Sequence, residues 1–217
     1  MFKHRLLLFV MILCVALTSC TTVSAREISA PLEADSYASI TIYAYDSNAR
    51  TLPLAINMGH SFIAIENKSA SSFIVGNYEV APGETVTIGT WGQSAHWGIW
   101  YNLETFYMAN GYYNGIVSIT RAITAQDITV ISDFVLESDY WEFTRNCTDF
   151  AVQLWNKVAE SDKINLKALL IAPTNLKKKL SDFTICKTNN YLTEAVTKNP
   201  CYFNGTELVS FTAAEAA

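Results

Sequence analysis

The sequence predicts an α+β fold in which an antiparallel sheet packs against a few helices. Segments that alternate and are rich in β-branched and aromatic residues fill the region between residues 39 and 122. Segments with helical periodicity follow from residue 124 onward, so strands and helices are segregated along the chain rather than alternating. With 217 residues and a 50% hydrophobic composition, the chain is long and apolar enough for one domain with its own core.

The first 25 residues are predicted to be an export signal rather than part of the fold. A basic start precedes a purely apolar run from Leu6 to Leu17, which is too short to span a membrane. Two cleavage sites fit the pattern: one after Ala25, and one before Cys20, which ends a segment resembling a bacterial lipobox. Cleavage before Cys20 would leave a lipidated cysteine that attaches the protein to a membrane. Both sites predict an extracytoplasmic protein, either secreted or lipid-anchored at the cell envelope.

The strands are predicted as a meander in which chain neighbours pair. Turn residues separate them, and short turns favour antiparallel pairing. The segments with strand character are 39–45, 59–66, 72–80, 85–91 and 116–122. Residues 92–115 are rich in Trp, Tyr and Gly, and we interpret them as a long ordered loop.

Helices are predicted over 125–137, from 146 to about 160, and from Pro173 over a short stretch. Thr124 is a suitable cap for the first helix, whose apolar residues recur at helical spacing. Asn146 is a strong cap for the second. Residues 163–171 are predicted to add further helix.

The predicted organisation is one main domain followed by a small C-terminal segment. The domain covers residues 26–180 after removal of the export signal. Residues 181–217 are polar and are interpreted as a strand-poor appendage.

Charge and cysteine content argue against several functions. The net charge is −5, and removal of Lys3 and Arg5 with the export signal leaves 13 basic and 20 acidic residues, a net charge of −7. No basic excess attracts phosphate, so no nucleic-acid partner is expected. The mature chain keeps two histidines and three cysteines without the spacing of a metal site, so no metal or other cofactor is expected. Cys186 and Cys201 are close enough in sequence to form a disulfide, which would leave Cys147 unpaired.

Cys147 is the candidate nucleophile. As the first residue after the Asn146 cap, it lies where free backbone N–H groups and the positive end of the helix dipole favour a thiolate. His60, at the start of a strand, is the candidate base, and His96, in a loop, is the alternative. An inert buried cysteine at the mouth of a core helix is the competing interpretation of Cys147.

The order of the motifs resembles a known family. Gly59-His-Ser-Phe-Ile-Ala-Ile is followed by the strand Val86–Trp91 and then by Asn146-Cys-Thr-Asp-Phe-Ala. This resembles the circularly permuted papain-like group, which includes the NlpC/P60-type and lecithin:retinol acyltransferase-like proteins and in which the histidine strand precedes the cysteine helix. Over residues 39–180, the resemblance implies a papain-like α+β fold and thiol chemistry through an acyl-enzyme at Cys147.

The family pattern includes a third polar residue that orients the histidine. The resemblance points to Thr90, at the end of a strand, for this role, and the polar alternatives left open are Thr87, Asn77 and Glu79. The backbone N–H of Cys147 is a predicted donor to a developing oxyanion, and the second donor is either the side chain of Asn146 or that of a Tyr or Trp. Residues predicted to bind substrate are Trp91, His96, Trp97 and Asn146.

The predicted function is an exported thiol hydrolase, an amidase or peptidase acting on cell-wall or other peptides. Cys147 and His60 would act through an acyl-enzyme. Two alternatives remain open. One is a lipid or ester acyl hydrolase, and the other is a non-catalytic module on the same fold that binds glycan or peptide through its aromatic residues.

Overall fold

The computed structural model describes residues 36–46, 59–93, 95–166, 171–192 and 199–211. The predicted export signal, with its alternative cleavage sites at Cys20 and Ala25, lies outside them. Residues 167–170 of the helix predicted over 163–171 also lie outside, and residues 163–166 form irregular chain instead of helix. Within the described ranges, no helix is both long and apolar enough to cross a membrane.

Eight strands of the described chain form one antiparallel sheet, which confirms the α+β class. The strands are β1 (Ala38–Tyr45), β2 (His60–Asn67), β5 (Thr85–Gly92), β6 (Trp97–Tyr101), β7 (Val117–Ile123), β8 (Lys187–Thr188), β9 (Cys201–Phe203) and β10 (Leu208–Ser210). Their spatial order is β10-β9-β6-β5-β2-β1-β7-β8. Two further strands, β3 (Phe73–Val75) and β4 (Tyr78–Val80), form a separate hairpin.

The sheet is buried on both faces, and the two faces carry different side chains. Strand β1 pairs with β2 on one side and with β7 on the other, and all eight of its residues are buried. Alternation places Ile40 and Ile42 in a largely aliphatic core on one face. Tyr43 and Tyr45 join an aromatic core on the other face. Strand β1 therefore contributes side chains to both cores.

Four helices of the described chain flank the sheet. They are α1 (Leu103–Ala109), α2 (Ala125–Glu137), α3 (Cys147–Val158) and α4 (Pro173–Ser181). The predictions for α2, α3 and α4 are confirmed. The start of α2 follows from a capping box, since Thr124 Oγ1 accepts the N–H of Asp127 and Asp127 Oδ2 accepts the N–H of Thr124. The apolar side of α3 packs on the aliphatic face of the sheet, mainly against β2.

Two predicted segments fold differently from the expectation. Residues 72–80 are a hairpin rather than one strand, because Gly76 adopts a positive φ of 61° and turns the chain. A side chain at Gly76 would also meet Val135 of α2 and the hydroxyl of Tyr101. The predicted loop 92–115 contains β6 and α1.

The C-terminal segment is part of the sheet, not a strand-poor appendage. Strand β8 extends the sheet beyond β7, and β9 and β10 extend it beyond β6 at the opposite edge. The segment therefore completes both edges of the sheet, which protects β6 and β7 from being edge strands themselves.

The predicted disulfide between Cys186 and Cys201 is wrong. In the described chain the two residues are separate thiols. Cys186 immediately precedes β8, whereas Cys201 begins β9, and six inter-strand spacings separate these strands. Six spacings correspond to roughly 29 Å across the sheet, while a disulfide needs Cα atoms within about 7 Å. Cys147 is likewise a thiol outside any disulfide.

Candidate active site

Cys147 and His60 meet where β2 and α3 begin. Asn146 caps α3, because its Oδ1 accepts the N–H groups of Thr148 at 2.9 Å and Asp149 at 3.2 Å, and this makes Cys147 the first helical residue. The thiol of Cys147 forms hydrogen bonds with the His60 imidazole and with the backbone of Ser61. The structure therefore brings together Cys147 and His60, the nucleophile and the base predicted from the sequence.

A second contact fixes the helix to the strand. Ser61 Oγ and Thr148 Oγ1 lie 3.1 Å apart, and both residues are fully buried. Ser61 follows His60 and Thr148 follows Cys147, so this hydroxyl pair lies one residue beyond the reactive pair on each element. The pair holds the start of α3 in register with the start of β2.

The local electrostatics favour a thiolate–imidazolium pair. Burial alone would lower the pKa of His60, but the charge of Cys147 and hydrogen bonds to Cys147 and Glu104 outweigh it and raise that pKa to about 9. Burial alone would raise the pKa of Cys147, but the charge and hydrogen bond of His60, with hydrogen bonds from Ser61 and Thr148, lower it. Opposite shifts in contacting groups favour transfer of the thiol proton from the sulfur to the imidazole.

Glu104 is the third member of the site, and the sequence analysis missed it. Its Oε1 accepts hydrogen bonds from His60 Nε2 at 3.0 Å and from Trp91 Nε1 at 2.7 Å. The Glu104 side chain is fully buried, and His60 is 2% exposed. Because Nε2 of His60 is held by the carboxylate, Nδ1 is the ring nitrogen left to face Cys147.

Two features of the backbone place the Glu104 carboxylate beside His60. Asn102, in the left-handed conformation at φ 61°, turns the chain from β6 into α1, and its Oδ1 accepts the N–H of Thr87 on β5. Gly89 on β5 lies directly under the carboxylate. A Cβ at Gly89 would collide with Glu104 Oε1 and lie 3.0 Å from His60 Nε2. Glycine is therefore required here for close approach of the carboxylate to the strand.

Thr90 does not orient the histidine, contrary to the prediction. Alternation along β5 places Thr90 on the opposite face of the strand from Trp91, whose indole contacts Glu104. The Thr90 hydroxyl is buried and has no hydrogen-bond partner among the described residues. The partner that the structure gives to His60 Nε2 is Glu104, not the alternatives Thr87, Asn77 or Glu79.

A cavity of about 310 Å³ opens onto Cys147 and His60. Its described lining is Gly59, His60, Thr90, Trp91, Gly92, Trp97, Trp141, Phe143, Asn146, Cys147, Ile171, Ala172 and Pro173. Of the four predicted substrate-binding residues, Trp91, Trp97 and Asn146 line it. His96 does not, because its Nε2 bonds Asp139 Oδ1 at 2.7 Å and its ring stacks on Tyr202.

The side chain of Asn146 is not available as an oxyanion donor. Its Nδ2 donates to the carbonyl oxygens of Ile171 at 2.8 Å and Phe143 at 3.3 Å, and its Oδ1 is occupied by capping. The backbone N–H of Cys147 is different: it belongs to the first turn, which no carbonyl of α3 reaches, and the cap bonds fall on later residues. That N–H is the donor that the helix start can offer beside the sulfur.

Neither a metal-binding cluster in the described ranges nor a match to a known protein adds to the evidence for this site. No group of three or more His, Cys, Asp or Glu residues in the described ranges is arranged to hold a metal ion. No family model, curated protein or solved structure matches this chain. A proposal about its chemistry therefore rests on the chain's own residues.

Proposed function

We propose that this chain is an exported thiol hydrolase with a circularly permuted papain-like fold. The proposed nucleophile is Cys147, and the proposed base and acid is His60. The observation that supports this best is the buried contact between the two side chains, in which the pKa of the thiol is lowered and that of the imidazole is raised. The chain order, with the histidine on β2 and the cysteine later on α3, agrees with the permuted arrangement.

The proposed reaction has two steps, acylation of Cys147 and hydrolysis of the resulting thioester. The thiolate of Cys147 attacks the substrate carbonyl carbon, and His60 gives its proton to the leaving nitrogen as the carbon–nitrogen bond breaks. An amine leaves, and a thioester remains on the sulfur. Water then attacks the thioester carbonyl while His60 accepts a proton, and the carbon–sulfur bond breaks. The products are a carboxylic acid and the original thiolate–imidazolium pair.

Glu104 is proposed to act on His60 rather than on substrate. Its carboxylate fixes the ring orientation through Nε2 and stabilises the imidazolium, leaving Nδ1 directed at the sulfur. The backbone N–H of Cys147 is the proposed donor to the oxyanion that forms on the attacked carbonyl. Together these groups supply nucleophile, proton carrier, orienting residue and anion stabilisation, all from the chain itself.

The proposed substrates are amides of cell-wall or other peptides, with esters and lipid acyl groups as the alternative bond type. A second candidate function, a non-catalytic glycan- or peptide-binding module, is favoured by the aromatic lining, in which Trp91, Trp97 and Trp141 take part. The two candidates differ in one respect: only the hydrolase forms a covalent bond to Cys147.

The deciding experiment is detection of an acyl-enzyme. The mature chain is mixed with p-nitrophenyl acetate at neutral pH, p-nitrophenol release is followed, and the acetyl group is located by peptide mass spectrometry. We expect a burst of product with acetyl on Cys147, which is absent in Cys147→Ser and reduced at least 100-fold in His60→Ala.

Cys186 is a control within the same chain. It is a more exposed thiol whose pKa is raised by burial, and it lies outside the cavity. Equal acetylation of Cys186 and Cys147, or a rate at Cys147 that is unchanged in His60→Ala, would contradict the hydrolase and leave the binding module.

A further inference from the structure

The cavity beside Cys147 has aromatic walls held by specific packing. The ring of Trp141 lies over Gly92 of β5 so closely that a Cβ at this glycine would be 3.1 Å from a ring carbon. Trp97 meets the Trp141 ring edge to face, with centroids 5.5 Å apart. Phe143 adds a third ring and is 62% exposed, and Trp97 is 58% exposed. Large aromatic rings are therefore exposed to solvent at the cavity mouth instead of being buried in the core.

Apart from the Cys147–His60 pair, the described lining of this cavity offers no charged partner to a charged ligand. No Asp, Glu, Lys or Arg occurs among its described lining residues, and its charged groups are the Cys147–His60 pair itself. A charged substrate group seated between Trp97, Trp141 and Phe143 would lose water without gaining an ionic partner. The net charge of −5 adds long-range repulsion of anions.

We propose that this cavity selects an uncharged aromatic side chain of the substrate, adjacent to the bond that is cleaved. The proposal rests on the proposed function for the position of that bond at Cys147. A flat ring can pack against the exposed side of the Trp97–Trp141 pair, because aromatic rings prefer offset or edge-to-face contact with one another. Trp141 is the residue that sets this specificity, and Gly92 positions Trp141.

The test compares p-nitrophenyl esters that differ in one side chain. The esters are those of N-acetyl-phenylalanine, N-acetyl-glycine, N-acetyl-glutamate and N-acetyl-lysine, together with p-nitrophenyl octanoate. We expect kcat/KM for the phenylalanine ester to exceed those for the glutamate and lysine esters at least tenfold. Equal values across the series would overturn the proposal. A faster reaction of the octanoate ester would also overturn it, and would indicate a fatty acyl substrate instead.

Substitutions at Trp141 and Gly92 test the aromatic wall of the cavity. Trp141→Ala should lower the ratio of kcat/KM for the phenylalanine ester over the glycine ester more than tenfold, and Gly92→Val should lower it about fivefold by displacing the ring. Trp141→Phe keeps a ring and should retain most of the ratio. Ile74→Ala, which removes an exposed side chain on β3 outside the cavity, is the matched control and should leave the ratio unchanged. A ratio unaffected by Trp141→Ala in a folded variant contradicts the proposal.

A binding measurement separates this proposal from the proposed function. Cys147→Ala forms no acyl-enzyme, so its affinity for N-acetyl-phenylalaninamide and for the amide of N-acetyl-glutamate can be compared by tryptophan fluorescence. Preference for the phenylalanine compound without any turnover by the native chain would refute the hydrolase and keep the aromatic site. Turnover without side-chain preference would keep the hydrolase and refute the aromatic site.

Discussion

Glu104 Oε1 lies 3.0 Å from Nε2 of His60, and both side chains are almost completely removed from water. The same oxygen accepts the indole N–H of Trp91 at 2.7 Å, so the carboxylate is held by two donors. A buried acceptor in this position fixes the imidazole ring and favours its protonated form. The relationship makes Glu104 the first residue to test after Cys147 and His60.

Glu104→Gln is expected to lower kcat/KM about 10- to 100-fold. The amide keeps an oxygen acceptor of similar shape but loses the charge that stabilises the imidazolium. The pH above which activity falls should also move down, because His60 would lose its proton more readily. Ester hydrolysis measured from pH 5 to 10 checks both effects. Glu79→Gln, on the exposed side of β4, is the matched control, and an equal loss there would refute the role of Glu104.

The pKa shifts predict a window of pH in which Cys147 is reactive. Its thiol pKa is lowered, so thiolate is present below the usual range, and His60 keeps its proton up to about 9. Alkylation by iodoacetamide should therefore be fast at pH 6 to 7, whereas Cys186 should become reactive only in the alkaline range. Hydrolysis should fall as pH rises through about 9, because His60 then loses the proton needed by the leaving group.

The variant His60→Ala is the comparison for the pH dependence of Cys147 alkylation. Without the imidazolium, burial is left as the main influence and the thiol pKa should rise, so fast alkylation near neutral pH should disappear. If the pH profile of Cys147 is the same in the native chain and in His60→Ala, the ion pair does not exist in solution.

Local sequence signals predicted most of the fold and two members of the site. Thr124 and Asn146 cap helices through contacts within three residues, and contacts this local can be predicted from sequence. Alternation in β2 likewise placed His60 on a strand. Glu104 was not predicted because its role depends on a tertiary contact. The short helix α1 brings its carboxylate against Gly89 on β5. A polar residue two positions after Asn102, at a helix start, was the available signal.

The failed disulfide has a related cause. Cys186 and Cys201 are near each other in sequence, but Cys186 lies beside the edge strand β8 and Cys201 lies on β9, next to the opposite edge. Sequence separation limits how far apart two residues can be, and it does not bring them together. The same limitation applies to Thr90, which is close to the site along β5 but lies on the other face of the strand.

Gly89→Ala is expected to disable the site without removing any of its functional groups. The added methyl would occupy the place of the Glu104 carboxylate and press on His60, so we expect kcat/KM to fall at least tenfold. A double variant tests the route of the effect. If Gly89→Ala acts through Glu104, combining it with Glu104→Ala should cost little more than Glu104→Ala alone. Fully multiplicative losses would show that the glycine acts elsewhere.

Thr148→Val is expected to loosen the register between α3 and β2. The substitution preserves shape but leaves the buried Ser61 hydroxyl without its 3.1 Å partner, which should cost about 1–3 kcal/mol of unfolding free energy. It also removes a hydrogen bond that lowers the pKa of Cys147, so the alkylation profile should shift to higher pH. Urea unfolding and iodoacetamide kinetics measure the two effects separately. The pair Ser61→Ala with Thr148→Val removes both polar groups and should recover part of the stability, but not the low thiol pKa, because Thr148 no longer donates to the sulfur.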